Sequence, residues 1–178
     1  AHQGLRVADI ETVHLPPSAM EGAVAAGEVD GVIVWQPFVH AIRQRMGDRV
    51  VSWPAQGGQD AYALLVARDA YLRRRPAAVE RLLHALVEAE DYARRHAAEA
   101  QAIVQRRFGY ERAFLARLWA QNRLEVRLTQ DLLTLMDDEA RWAMGRDALP
   151  GQRMPNFLQH IYLDALEKVR PEAVTVIR

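Results

Sequence analysis

The sequence predicts an α/β fold in which part of a sheet gives way to a helical C-terminal segment. The continuous apolar, β-branched run at residues 32–34 is typical of a strand that is buried on both faces of a parallel sheet. Beyond Arg68, apolar residues recur at the three-and-four spacing of amphipathic helices almost to the end of the chain. We therefore expect two parts, a partial α/β lobe over residues 1–67 and a mainly helical segment over residues 68–178.

A short helix is predicted just before the central strand. Ser18 lies three residues before Glu21, which is the spacing of a capping box at a helix start. Gly27 is typical of a helix end. Asp30 and Gly31 then favour a turn that leads into the strand at 32–34.

The residues after this strand form a first candidate binding loop. In open α/β sheets, ligands bind beyond the carboxyl ends of the strands. An indole there could stack on a ligand, and an amide could both donate and accept hydrogen bonds. The alternative, in which the indole simply covers the core of the lobe, remains open. The candidate ligand-binding residues of this loop are Trp35, Gln36, Pro37 and Phe38.

A second candidate loop lies between two further predicted strands, 50–53 and 61–67, of which the second is expected to be buried. Its glycines could present backbone N–H groups to an anion, although a plain hairpin loop is the commoner reason for such a sequence. The candidate residues are Gly57, Gly58 and Gln59. We also expect a strand at 10–15 and a terminal strand or extended arm at 173–177.

The helical segments follow from apolar spacing together with proline and glycine at their ends. Pro76 suits the first turn of a helix whose apolar face is expected to be buried, and Gly109 suits the end of another. The predicted helices cover residues 39–46, 76–90, 97–108, 111–121, 128–144 and 155–169.

Composition argues against several classes of function. The 23 basic and 23 acidic residues balance, so no basic excess is available to bind phosphate, and we expect no nucleic-acid partner. The absence of cysteine excludes disulfides and thiolate metal sites.

The acidic clusters at 88–91 and 137–139 and the basic run at 73–75 are interpreted as solvent-exposed surface. With no catalytic or metal-binding spacing, we expect no cofactor, no metal and no enzymatic activity.

Four stretches, in this order, resemble one family of proteins. They are AVAAGEVDGVIVWQPF at 23–38, ALLVARDAYL at 63–72, PAAVERLLHAL at 76–86 and NFLQHIYLDALEKVRPEAV at 156–174. The family comprises the periplasmic solute-binding proteins of ABC importers for nitrate, sulfonate, taurine and thiamine-precursor-like ligands. In that family a glutamate usually stands where this chain has Gln36.

The resemblance implies a type II periplasmic-binding-protein-like fold that is incomplete. The chain would supply part of the second lobe, the return crossing at 61–67, and C-terminal helices that pack on the first lobe. Since the first lobe's own strands are missing from this arrangement, we expect the chain alone to bind solute poorly. We also expect it to form a homo-oligomer or to depend on a partner.

The function implied by the resemblance is capture of a small, anionic or sulfonate- or nitrate-like solute in a cleft between two lobes. The solute would pass to an ABC permease, and the protein would be periplasmic or an exported lipoprotein. One alternative is a thiamine-pyrimidine-synthase-like enzyme on the same scaffold, for which His14 and His40 are the candidate histidines. The other is a sensory ectodomain.

Overall fold

The computed structural model describes residues 7–55, 60–145 and 153–178, and the chain divides into two units, Ala1–Gly57 and Gly58–Arg178. Helices are the dominant regular structure of both units. In chain order they are α1 (Pro17–Ala26), α2 (Phe38–Met46), α3 (Asp69–Arg74), α4 (Pro76–Arg95), α5 (Ala97–Phe108), α6 (Arg112–Gln121), α7 (Gln130–Met144) and α8 (Asp164–Val169). Short 3-10 turns occur at Val7–Asp9, Gly47–Arg49, Phe157–His160 and Pro171–Ala173.

The first unit is built on two helices that pack against each other, α1 and α2. Ala23 of α1 and Ile42 of α2 are buried. An ion pair of 3.3 Å between the Arg45 guanidinium and the Glu21 carboxylate links the two helices at the surface. The unit therefore has only a small apolar core, and most of its residues are partly or fully exposed.

The end of α1 confirms the sequence prediction, whereas its start does not. Gly27 adopts φ 72°, and its N–H group donates hydrogen bonds to carbonyls of the last turn. The predicted capping box is wrong, because Pro17 is already the first helical residue and no side chain caps the helix. Proline suits that position because its φ is preset and its missing N–H would have no helical partner. Ser18 thus lies inside the first turn.

The second unit holds most of the buried apolar side chains. Helix α4 packs against α5 and α8, and α5 packs against α6. The buried residues of this unit are Ala100, Phe114, Leu115, Leu132, Leu133, Ala140, Leu163, Ala165 and Leu166. They come from helices α5 to α8 and from Leu163 just before α8. No residue of α4 is buried, and Leu82 and Leu86 on its apolar face are exposed, so the predicted burial of that face is wrong in this structure.

The predicted helices of the second unit are mostly confirmed. Helix α5 has the predicted bounds and ends at Gly109, whose φ is 71°. The helix predicted at 155–169 is wrong in its length, since only the 3-10 turn Phe157–His160 and α8 form there. Helix α3 was not predicted. Among the described residues, no helix combines the length and the apolar character that crossing a membrane requires.

The predicted strands are wrong for this structure, since the described residues contain no β-strand. Residues 10–15, 32–34, 50–53 and 61–67 form no ladder, and their apolar side chains are largely exposed, with Ile33 at 81% and Val66 at 84%. A strand needs a neighbour to accept its backbone hydrogen bonds, and no neighbouring strand lies beside them in the described parts of the chain. The structure is therefore mostly helical where the sequence predicted α/β.

The C-terminal residues form an extended arm rather than a full strand. A single parallel bridge joins Leu128 to Val174. The Leu128 N–H donates a hydrogen bond to the Ala173 carbonyl, and the Thr175 N–H donates one to the Leu128 carbonyl, both at 2.9 Å. The arm is thus tied to the segment that precedes α7.

Candidate functional site

The first candidate loop presents two aromatic rings at the start of α2. Trp35 lies at the end of an irregular segment and is 61% exposed, and Phe38 is the first residue of the helix. Their ring centroids are 6.0 Å apart and the rings meet edge to face, which is a favourable aromatic geometry. The indole therefore does not cover a core in this structure. It is available to stack on a ligand.

Gln36 is held by the helix that follows it. The His40 N–H group donates a hydrogen bond to Gln36 Oε1 at 3.2 Å. The Val39 N–H group donates one to the Trp35 carbonyl at 3.3 Å. These bonds satisfy backbone groups at the start of α2 that have no partner within the helix. The amide oxygen thus accepts one hydrogen bond from the helix and has a second acceptor site left, while the amide nitrogen can only donate. The Gln36–Pro37 peptide bond is cis.

The second candidate loop, with Gly57, Gly58 and Gln59, lies outside the described residues. Its expected role as an anion-binding loop stays a prediction.

A groove of about 690 Å³ lies in the second unit, between the C-terminal half of α4, the chain at 122–129 and the end of α8. Its volume falls in the usual range of small-molecule sites. Glu90 and Arg170 line it, with side chains 8% and 15% exposed. The guanidinium donates to Glu90 Oε1 at 2.7 Å and to Asp91 Oδ1 at 3.1 Å. The groove therefore contains a nearly buried ion pair.

Both carboxylate oxygens of Glu90 accept hydrogen bonds. Its second oxygen, Oε2, accepts the Val126 N–H at 2.8 Å, which fixes the chain between α6 and α7. The hydrogen bond to Glu90 raises the pKa of Arg170 above its ordinary value. The interpretation of the 88–91 cluster as a solvated face is thus wrong for Glu90. The side chain is nearly covered, at 8% exposed, and joins α4 to the C-terminal end of α8.

A second polar cluster anchors the start of the segment 61–67 in the same unit. Asp60 Oδ2 accepts hydrogen bonds from Arg127 at 3.1 Å and from Arg123 at 3.3 Å. The Tyr62 hydroxyl donates to Asp131 Oδ2, and this bond raises the pKa of Tyr62. The guanidinium of Arg127 lies 5.6 Å from the centroid of the Tyr62 ring, which adds a cation–π contact.

Sequence reasoning missed both polar clusters. Arg170 lies 80 residues from Glu90 along the chain, and Arg127 lies 67 residues from Asp60. Side chains so distant in sequence are brought together only by the packing of the helices, and no local spacing signals them. In the parts of the chain that the structure describes, no three His, Asp or Glu side chains cluster as a metal site requires.

Comparison with known proteins places the first candidate loop inside a family match. A protein-family model described as the NMT1-like family matches residues 1–108. Proteins of Brucella abortus, Brucella suis and Brucella melitensis that are named as binding proteins are each 24% identical over 95 residues. The aligned region covers 50% of this chain but only 29% of each Brucella protein. No solved structure matches the chain.

Proposed function

This chain belongs to the NMT1-like family, and we propose that it is part of a solute-binding protein that serves an ABC importer. The proposed ligand is a small anionic solute of the nitrate or sulfonate kind, held in a cleft between two lobes. A membrane permease of the importer is the proposed partner. Because such a protein meets its solute before uptake, the proposed location is the periplasm, either free or as an exported lipoprotein.

The observation that carries this proposal is the exposed aromatic loop within the family match. Trp35 offers a largely exposed indole, and the adjacent Gln36 offers an amide nitrogen that can donate hydrogen bonds. An aromatic wall with a few placed polar groups is the usual lining of a small-molecule site. The names of the Brucella relatives likewise point to binding rather than to catalysis.

The composition of the loop is compatible with an anionic ligand. None of Trp35, Gln36, Pro37 and Phe38 carries a carboxylate, so no negative charge of the loop itself would repel an anionic ligand. The amide nitrogen of Gln36 supplies a hydrogen-bond donor for such a ligand. Oxygen atoms of a nitrate or a sulfonate accept such a hydrogen bond.

The described residues of this chain provide only one wall for the proposed cleft. Pockets for small molecules bury most of the ligand surface, and a loop with an exposed indole cannot do so alone. We therefore expect weak binding or none by the 178-residue chain, and binding by the longest natural form of the protein that contains this sequence.

Titration calorimetry with nitrate, taurine, a short alkyl sulfonate and a thiamine-precursor-like pyrimidine tests this proposal. The longest natural form should bind one of the three anionic or sulfonated solutes with micromolar affinity, and the 178-residue chain should bind none. Micromolar binding by the 178-residue chain would show that a second wall is unnecessary. If the longest form binds only the pyrimidine, or none of the four, the proposed solute class is wrong.

A further inference from the structure

The arm at residues 173–177 lies against the chain that enters α7. Its docking uses both backbone groups of Leu128. The Leu128 N–H donates to the Ala173 carbonyl, and the Leu128 carbonyl accepts the Thr175 N–H, both at 2.9 Å. The position of the arm is therefore tied directly to the position of one residue before α7.

Glu90 of α4 holds the same stretch of chain, which we define as the segment 126–128. Its Oε2 accepts the Val126 N–H at 2.8 Å, and its Oε1 accepts a hydrogen bond from Arg170 at 2.7 Å. Both charged side chains are nearly covered. Removing one partner of such a pair leaves a poorly solvated charge without compensation, which is strongly destabilising. Glu90 therefore ties Arg170 to the segment 126–128.

A tight turn connects Arg170 to the arm. The Ala173 N–H donates to the Arg170 carbonyl at 3.0 Å, and the Val174 N–H donates to the Pro171 carbonyl at 3.1 Å. The residue whose carbonyl accepts the Leu128 N–H, Ala173, is thus itself bonded to Arg170. Because the turn is closed by its own hydrogen bonds, a shift of Arg170 carries the start of the arm with it.

We propose that the arm at 173–177 and the segment 126–128 open and close as one unit, with Glu90 as the positioning residue that couples them. The arm is then a latch, which stays docked only while Glu90 holds both Arg170 and Val126. Residues of the arm and of the segment line the groove, so the groove widens when the latch opens. The bonds involved do not include the candidate ligand loop, and the proposal is independent of the proposed solute site.

Glu90→Gln breaks the coupling with almost no change in side-chain shape. A glutamine has one oxygen and its amide nitrogen only donates, so it cannot accept from both Arg170 and Val126 as the carboxylate does. Hydrogen exchange resolved to single amides, in the longest natural form of the protein, should be at least roughly tenfold faster at Val126. The Leu128 N–H, which bonds to the arm and not to Glu90, should speed up by a similar factor. Glu88→Gln, an exposed glutamate of the same helix, is the matched control and should change neither.

Thr175→Pro tests the latch from the arm and leaves the pair of Glu90 and Arg170 intact. Proline removes the N–H that donates to the Leu128 carbonyl. Val174 already has an extended backbone, with φ −110° and ψ 106°, close to the conformation that a residue before proline adopts. Exchange at Val126 should become roughly fivefold faster. Thr175→Ala keeps the N–H and should leave it unchanged.

The proposal is supported when Val126 and Leu128 exchange faster together in both variants. Unchanged exchange at Leu128 in a folded Glu90→Gln protein would show that the arm and the segment open independently, and it overturns the proposal. If Glu90→Gln does not fold, Thr175→Pro decides alone, and unchanged exchange at Val126 in that variant overturns the proposal.

Discussion

Helices α6 to α8 and the extended segments of the chain contain similar apolar residues, but only the helices bury several of them. Phe114 in α6 is 3% exposed, whereas Val66 in the segment 61–67 is 84% exposed. A helix satisfies its backbone hydrogen bonds internally, so its apolar face needs only a neighbouring helix to be covered. An extended segment needs a second strand for its backbone and a second layer for its side chains. Helices α6 to α8 therefore bury apolar side chains within the described chain, whereas the extended segments do not.

Truncating a buried and an exposed apolar side chain gives the largest contrast between the two regions. Phe114→Ala should lower the free energy of unfolding by about 3 to 5 kcal/mol, because it leaves a cavity between packed helices. Val66→Ala should change it by less than about 0.5 kcal/mol in dilute protein. Denaturant unfolding followed by circular dichroism measures both. Similar losses for the two variants would mean that the segment 61–67 is packed in solution.

The hydrogen bond from Tyr62 to Asp131, which holds the start of the segment 61–67, should contribute a smaller, pH-dependent part of the free energy of unfolding. The hydrogen bond to Asp131 raises the pKa of Tyr62 above 10.0, so the folded state favours the protonated phenol. Its stabilisation is fully present below about pH 10, the pKa of an unfolded tyrosine, and is lost as the pH rises through the raised pKa. Since the site is largely exposed, we expect less than about 1 kcal/mol.

Tyr62→Phe should therefore unfold slightly more easily than the unmodified chain at pH 8, and the difference should shrink as the pH rises beyond 10. Tyr71→Phe, an exposed tyrosine of α3, is the matched control. Free energies of unfolding at a series of pH values report both variants. A difference that persists unchanged above pH 10 would show that the phenol proton does not stabilise the fold.

Local patterns predicted the helices well because the information lies within a few residues. Gly27 and Gly109 end their helices with positive φ, as glycine permits at little cost. The capping box at Ser18 failed because Pro17 competes for the first helical position. In both cases the outcome depends on neighbouring residues alone.

The strands and the polar clusters could not be predicted in the same way. A β-branched run such as 32–34 indicates a strand only if another strand lies beside it, and the sequence of the run does not contain that partner. The pair between Arg170 and Glu90 depends on how α4 and α8 pack. Within the candidate loop, Trp35 and Phe38 were expected at a site, but the bond that holds Gln36 depends on where α2 begins.

The most direct measurement of the proposed function is the affinity of Trp35→Ala in the longest natural form of the protein. Trp53→Ala is the matched control, because this indole is also exposed, at 76%, but lies in another segment. By calorimetry with the solute that binds, Trp35→Ala should weaken binding by about 1 to 3 kcal/mol, or roughly 5- to 150-fold. Trp53→Ala should bind like the unmodified protein. Unchanged affinity of a folded Trp35→Ala protein would contradict the placement of the solute at this loop.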